Sequence, residues 1–296
     1  GTDGDGGQIV VWSDGATEFH GTATATAAGE GFGGLVEVSG KEKLNFGGFV
    51  STFAENGIHG TLLLDPLGDV DIGDDVEPAS IINALDNSHV VVRTGSGATG
   101  IFVHDEVAYN SSNSLTLLAQ GYIKAEASVQ NSGDGDLNLV AGWDGETADP
   151  GPDPWLMPLS QPFYMKAILS SPGSFGNNNG DVIIGGTNVK SPGVAIGSLH
   201  GKTSVVGRNI DIYGATEGGS LPSQIGYRAH SQNGLQSTGE IVVSARNTVE
   251  LEGGNSAITY AQIGHGGGDF EEEDAGSEPD GNFGGDITVV ALDGDI

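Results

Sequence analysis

GQIVVW at Gly7–Trp12, GLVEVS at Gly34–Ser39 and GTLLLD at Gly60–Asp65 are three copies of one pattern, a glycine followed by a short apolar run. Their glycines are 27 and 26 residues apart. The pattern returns as GDLNLVA from Gly135, GDVIIGG from Gly180, GEIVVSA from Gly239 and GDITVVA from Gly285, with SLTLLA from Ser114 as a copy without the glycine. Alternation marks each as a strand, with Ile287, Val289 and Ala291 facing one way and Thr288 and Val290 the other. A second strand follows several copies after a brief corner: Ile241 precedes Val249 by eight residues, Leu115 precedes Ile123 by eight, and Ile287 precedes Ile296 by nine. Ile-Gly at Ile196, Ile225 and Ile263 is a weaker echo.

Short strands, glycine corners and a repeat of 20–30 residues imply a solenoid. A β-propeller needs a period near about 40 with four strands per blade, which the two-strand offsets do not supply. The expected fold is therefore all-β, a right-handed parallel β-helix. The anchors at Gly135, Gly180, Gly239 and Gly285 lie 45, 59 and 46 apart, and two of these intervals suggest two coils each. About a dozen coils at roughly 4.8 Å each would make a rod of about 60 Å.

Composition agrees. Of 296 residues 52 are Gly, which disfavours helices and suits tight corners. The absence of Cys removes disulfide frameworks, thiolate metal sites and cysteine nucleophiles. With 40 acidic against 10 basic side chains and a formal net charge of −30, nucleic acid and anionic membrane surfaces would be repelled. No apolar stretch approaches the roughly 18 residues of a membrane-spanning helix. The first residues lack the order of a signal peptide and begin inside a repeat, as expected of an internal or C-terminal piece of something longer.

Three segments interrupt the repeat. Glu77–Ser88 carries Pro78 in its first turn and Ile81, Ile82 and Leu85 on one helical face, which predicts a short helix near 78–87 packed across the solenoid. Asp144–Pro162 is too rich in proline for a sheet and forms an excursion, and Asp269–Asn282 is an acidic loop. The organisation expected is one β-helical segment over 1–296: a first block at 1–68, a second at 69–145, the proline-rich excursion at 146–165, and further coils at 166–296.

Catalytic sets are fragmentary. Pectin-cleaving β-helix hydrolases share an Asp-Asp pair, a downstream Gly-His-Gly and an Arg-x-Lys. Here Asp74-Asp75 and Gly264-His265-Gly266 are about 190 residues apart, which is about eight coils or nearly 40 Å, and no Arg-x-Lys follows. The seven histidines show no zinc spacing, and surface or corner positions are expected for them. No enzyme activity and no resident cofactor is expected, with one candidate metal, Ca²⁺. Asp69, Asp71, Asp74 and Asp75 form D-x-D-x-x-D-D, part of an oxygen-rich loop that lacks the bidentate Glu of an EF-hand. The interruptions are where a solenoid places recognition, so Trp143, Trp155, Tyr164, Asp269, Glu271 and Asp274 are the candidate binding-loop residues, with Tyr109 a further aromatic able to stack on sugars.

GGQIVVWSDGATEFHGTATATA from Gly6 and the stretch Gly31–Pro66 resemble the passenger repeats of filamentous-haemagglutinin-like large exoproteins. HVVVRTGSGATGIFVHDEV from His89, SLTLLAQGYIKAEASV from Ser114 and GDLNLVAGWDG from Gly135 resemble the next block of such proteins. The resemblance covers roughly residues 6–145 and lacks the family's NPNL-type secretion domain. It implies a secreted or cell-surface chain exported by two-partner secretion through an outer-membrane transporter. It also implies a role in adhesion or biofilm cohesion, with carbohydrate, a cell-surface receptor or further copies of itself as partners, and it carries no catalytic residues over. A polysaccharide-active β-helix enzyme, hydrolase or lyase, and a self-assembling extracellular fibre subunit are the alternatives.

Overall fold

The computed structural model describes residues 4–95, 97–143, 180–186, 193–215, 222–228, 236–255, 259–266 and 282–296. Strands gather into long parallel sheets, and the order within each sheet follows the chain turn by turn. The first sheet holds nine: Gln8–Ser13, Leu35–Gly40, Thr61–Leu64, His89–Arg93, Leu115–Ala119, Leu137–Ala141, Thr203–Gly207, Ile241–Ala245 and Ile287–Ala291. Each pairs in parallel with its copy from the next turn, the pattern of a parallel solenoid.

The register stacks one ladder, apolar except at Thr203: Ile9, Val36, Leu62, Val90, Leu115, Leu137, Thr203, Ile241 and Ile287. A second runs through Val11, Val38, Leu64, Val92, Leu117, Leu139, Val205, Val243 and Val289. From Val36 through Leu137 both ladders are fully buried. Ile287, at the last rung among the described residues, is 50 % exposed.

A second sheet runs Val70–Ile72, Gly100–Val103, Tyr122–Ala125, Val182–Ile184, Ile210–Tyr213 and Val249–Glu252, and its inner ladder is Val70, Ile101, Ile123, Val182, Ile210 and Val249. A third runs Val107–Tyr109, Val129–Asn131, Ala195–Ser198, Ser223–Ile225 and Ala261–Ile263. Ile196, Ile225 and Ile263, the Ile-Gly echo of the sequence, are direct register partners there.

Two expectations are corrected. The first sheet has nine rungs rather than about a dozen, about 40 Å of stack. Ladder steps of 22–28 residues hold as far as Leu137, and then lengthen to 66, 38 and 46. The interval from Gly239 to Gly285 is thus one coil with an insertion, not two coils. Gly180 is not an anchor of the first sheet either, since the strand after it, Val182–Ile184, pairs with Tyr122–Ala125 and Ile210–Tyr213 in the second. The excursion at 144–162 and the loop at 269–282, apart from residue 282, lie outside the described residues.

The helix forms at Pro78–Leu85, with Pro in its first turn and Ser80, Ile81, Ala84 and Leu85 buried. It stands in the third-sheet column between Phe49–Ser51 and Val107–Tyr109, touching both. A helix about 10 Å across needs roughly two strand spacings. The second sheet widens at the same place, where Val76 bridges Phe46 on one side and Ile72 on the other, so this turn contributes two levels there. At the helix end the Leu85 carbonyl, which has no partner within a helix, accepts from Ser111 Oγ at 2.6 Å and Asn113 Nδ2 at 2.8 Å.

Candidate functional site

The acidic corner at Asp69–Asp75 spans the second-sheet strand Val70–Ile72 and the turn that follows it, and its four carboxylates diverge. Asp69 accepts the backbone N–H groups of Thr99 and Gly100 and so closes the corner one rung above. Asp71 Oδ2 lies 2.7 Å from His104 Nδ1, and His104 Nε2 lies 3.3 Å from Glu126. Lys124 pairs with Glu126 at 2.6 Å. Asp75 meets Lys43 at 2.8 Å, a bond that raises the lysine's pKa. Asp74 is exposed. The result is a ribbon of opposite charges across successive rungs. Among the described residues no three His, Asp or Glu side chains converge as a metal site.

Of the binding-loop candidates, Trp155, Tyr164, Asp269, Glu271 and Asp274 lie outside the described residues. Trp143 is partly buried and its ring lies 5.4 Å from the Arg93 guanidinium, which also grips Asp65 through Nε at 2.8 Å. Its indole Nε1 is buried with no partner among the described residues. Tyr109 points into the core at 7 % exposure, so it offers no surface for stacking on a sugar.

Two histidines have structural duties. His265 Nδ1 accepts the Tyr227 N–H at 3.1 Å and its Nε2 donates to the Gly239 carbonyl at 2.9 Å. Both ring nitrogens are thus engaged by backbone, and burial lowers the ring's pKa. By rung count His265 stands about five strand spacings, about 24 Å, from Asp75, too far to share a substrate atom. His89 departs from the expected surface position. It is buried, accepts the Ser114 N–H at 3.0 Å, and burial lowers its pKa to about 4.

Sequence reasoning missed two clusters. On the outer face of the second sheet Asp181 holds Arg208 by Nε at 2.9 Å and Nη2 at 2.8 Å, and also accepts from Asn209. Asp211 follows on the next rung, with Glu250 as its register partner beyond. Burial first, then Asp181 and Glu250, raise the Asp211 pKa. On the flank of the third sheet lies Arg228, 3 % exposed, with Tyr227, Gln130 and Tyr260 around it. No motif marks either cluster, because each is assembled from different coils.

Comparison with protein-family models, with curated proteins and with solved structures returns no match.

Proposed function

We propose that the chain is a right-handed parallel β-helix serving as the structural and binding segment of a secreted or cell-surface adhesin or matrix fibre. Right-handedness is the general rule for crossovers between parallel strands. The observation that carries the reading is the unbroken register of nine first-sheet rungs, a rod whose stability is a sum of neighbour contacts. Such a rod presents long flanks and tolerates insertions between coils, the property a display scaffold requires. The acidic corner supports the same reading, since Asp69, Asp71 and Asp75 are committed to bonds between rungs. The resemblance of residues 6–145 to haemagglutinin-like passengers adds cell contact as the role. Binding of the full chain to a glycan array, with and without EDTA, tests this. A protein that binds no glycan and fails to cohere coated beads would sink it.

One observation favours a second reading, a polysaccharide-active enzyme. Asp181, Asp211 and Glu250 place three carboxylates on neighbouring rungs of one sheet face, and the Asp211 pKa is raised as a general acid's is. Release of reducing ends from a polysaccharide panel, abolished in Asp211→Asn, would establish this alternative in place of the first.

A further inference from the structure

Of the described arginines, three grip a carboxylate: Arg93 holds Asp65, Arg208 holds Asp181 and Arg246 meets Asp293. Arg228 does not, although it is the most buried of the four. Among the described residues no carboxylate oxygen lies within ion-pair distance of its guanidinium, in a chain with 40 acidic side chains. Its Nη2 donates to the Pro222 carbonyl, while its Nε–H is buried without a partner among the described residues.

A guanidinium does not lose its proton in such a place. Burial lowers its pKa only to about 10, and the exposed Glu106 carboxylate nearby favours the charged form without pairing with it, so the charge persists at neutral pH. A buried cation with an idle donor is unfavourable unless something negative completes it. Polar side chains surround it. Gln130 Nε2 reaches the Arg228 carbonyl at 3.4 Å and is bonded to Tyr227, while Tyr260 lies close enough for its ionisation to be coupled to the guanidinium. These residues come from three different turns, so the arrangement is a product of stacking rather than of one loop.

We propose that Arg228 is the seat of an oxyanion, a carboxylate or sulfate group, bound on the flank of the third sheet through the free edge of the guanidinium. The planar fork matches an oxyanion with two oxygens in a way that it cannot match a spherical ion. The inference stands independently of the adhesive reading, and the group could arrive as a free ion or on an acidic sugar.

The test is thermal unfolding of the full chain at constant ionic strength, with sodium chloride replaced by sodium sulfate or sodium glucuronate. A bound oxyanion raises the wild-type midpoint by about 2–4 °C near saturation. Sulfate also stabilises folded proteins without binding, so Arg228→Met is the control and must lose the extra rise, while Arg228→Lys keeps a smaller one. A rise with both salts assigns the site to the oxyanion itself, and a rise with glucuronate alone assigns it to the sugar. Equal rises in wild type and Arg228→Met, or none in wild type, would overturn the proposal. If Arg228→Met does not fold, the wild-type salt comparison and Arg228→Lys still decide.

Discussion

A β-carbon on Gly60 would lie 1.9 Å from the carbonyl oxygen of Gly34, and one on Gly34 would lie 2.0 Å from that of Gly7. The corner into the first sheet is therefore a column of glycines in backbone contact, locked by the Leu35 N–H on Gly7 and the Thr61 N–H on Gly34. Gly7 begins the column and would have nothing within 4 Å of a β-carbon. Gly34→Ala and Gly60→Ala should each destabilise the fold by about 2–4 kcal/mol, because backbone must move to admit the methyl group. Gly7→Ala should stay within about 0.5 kcal/mol. Urea unfolding separates these cases, and equal losses at all three positions would count against the contact.

This column explains why so much of the fold was legible. Gly34 and Gly60 are forced by the rung beneath them, so the spacing of Gly7, Gly34 and Gly60 announces the period directly, although the column then passes through Ser88 and Asn113 before glycine returns at Gly135. Pro78 and the apolar face of Ile81 and Leu85 likewise announce the helix by local rules. Rung number was not legible, because an apolar run has the same appearance in any of the three sheets. Only its long-range partner distinguishes the strand after Gly180 from a first-sheet strand. The clusters at Asp211 and Arg228 were hidden for the same reason, since their members are neighbours across turns and strangers along the chain.

Asn131 predicts where the third corner is held. Its side-chain oxygen accepts the N–H groups of Ser111 and Gly133, each at 3.0 Å, and its nitrogen donates to the carbonyls of Ser111 at 2.9 Å and Gly135 at 2.8 Å. It is fully buried, so water cannot replace it. Asn131→Ala would leave the N–H groups of Ser111 and Gly133 unsatisfied, while the Ser111 carbonyl keeps the Gly135 N–H and the Gly135 carbonyl keeps Ser198 Oγ, at a loss of about 2–4 kcal/mol. Asn131→Asp keeps the acceptor and removes the donor, and should also destabilise. Amide hydrogen exchange at Ser111 and Gly133 should accelerate in Asn131→Ala and less in Asn131→Asp, whose oxygen still accepts both N–H groups, and unchanged protection in Asn131→Ala would refute the assignment.

His89 gives the fold an acid-sensitive step. It is buried as a neutral ring, with a folded pKa of about 4 against an ordinary value of 6.5. The unfolded chain therefore takes the proton first as pH falls. Stability from this residue is fully present above pH 6.5, declines through the interval down to about 4, and amounts to about 3 kcal/mol. His89→Asn can still accept the Ser114 N–H without titrating. The difference in unfolding free energy between wild type and this variant should change between pH 7.5 and pH 4.5, with the wild type losing more. A constant difference would show that the ring is not buried neutral.

The formal charge of −30 sets the response to salt. Register places Asp211 beside Glu250 on adjacent strands, a like-charge pair one strand spacing apart. At that distance the repulsion is about 1 kcal/mol in a water-like dielectric, more where burial thins the water, and salt screens the exposed part of it. The attractive pairs at Arg93–Asp65 and Arg208–Asp181 are partly shielded from solvent and lose less on screening. Raising sodium chloride from about 10 mM to about 0.5 M should therefore increase the unfolding midpoint, since repulsion is the more exposed contribution. Glu250→Gln should reduce that increase and let the Asp211 carboxyl, whose pKa Glu250 helps to raise, titrate at lower pH by carbon-detected NMR. A midpoint that falls with salt would mean that the paired arginines, not the crowded acids, dominate the electrostatics of the rod.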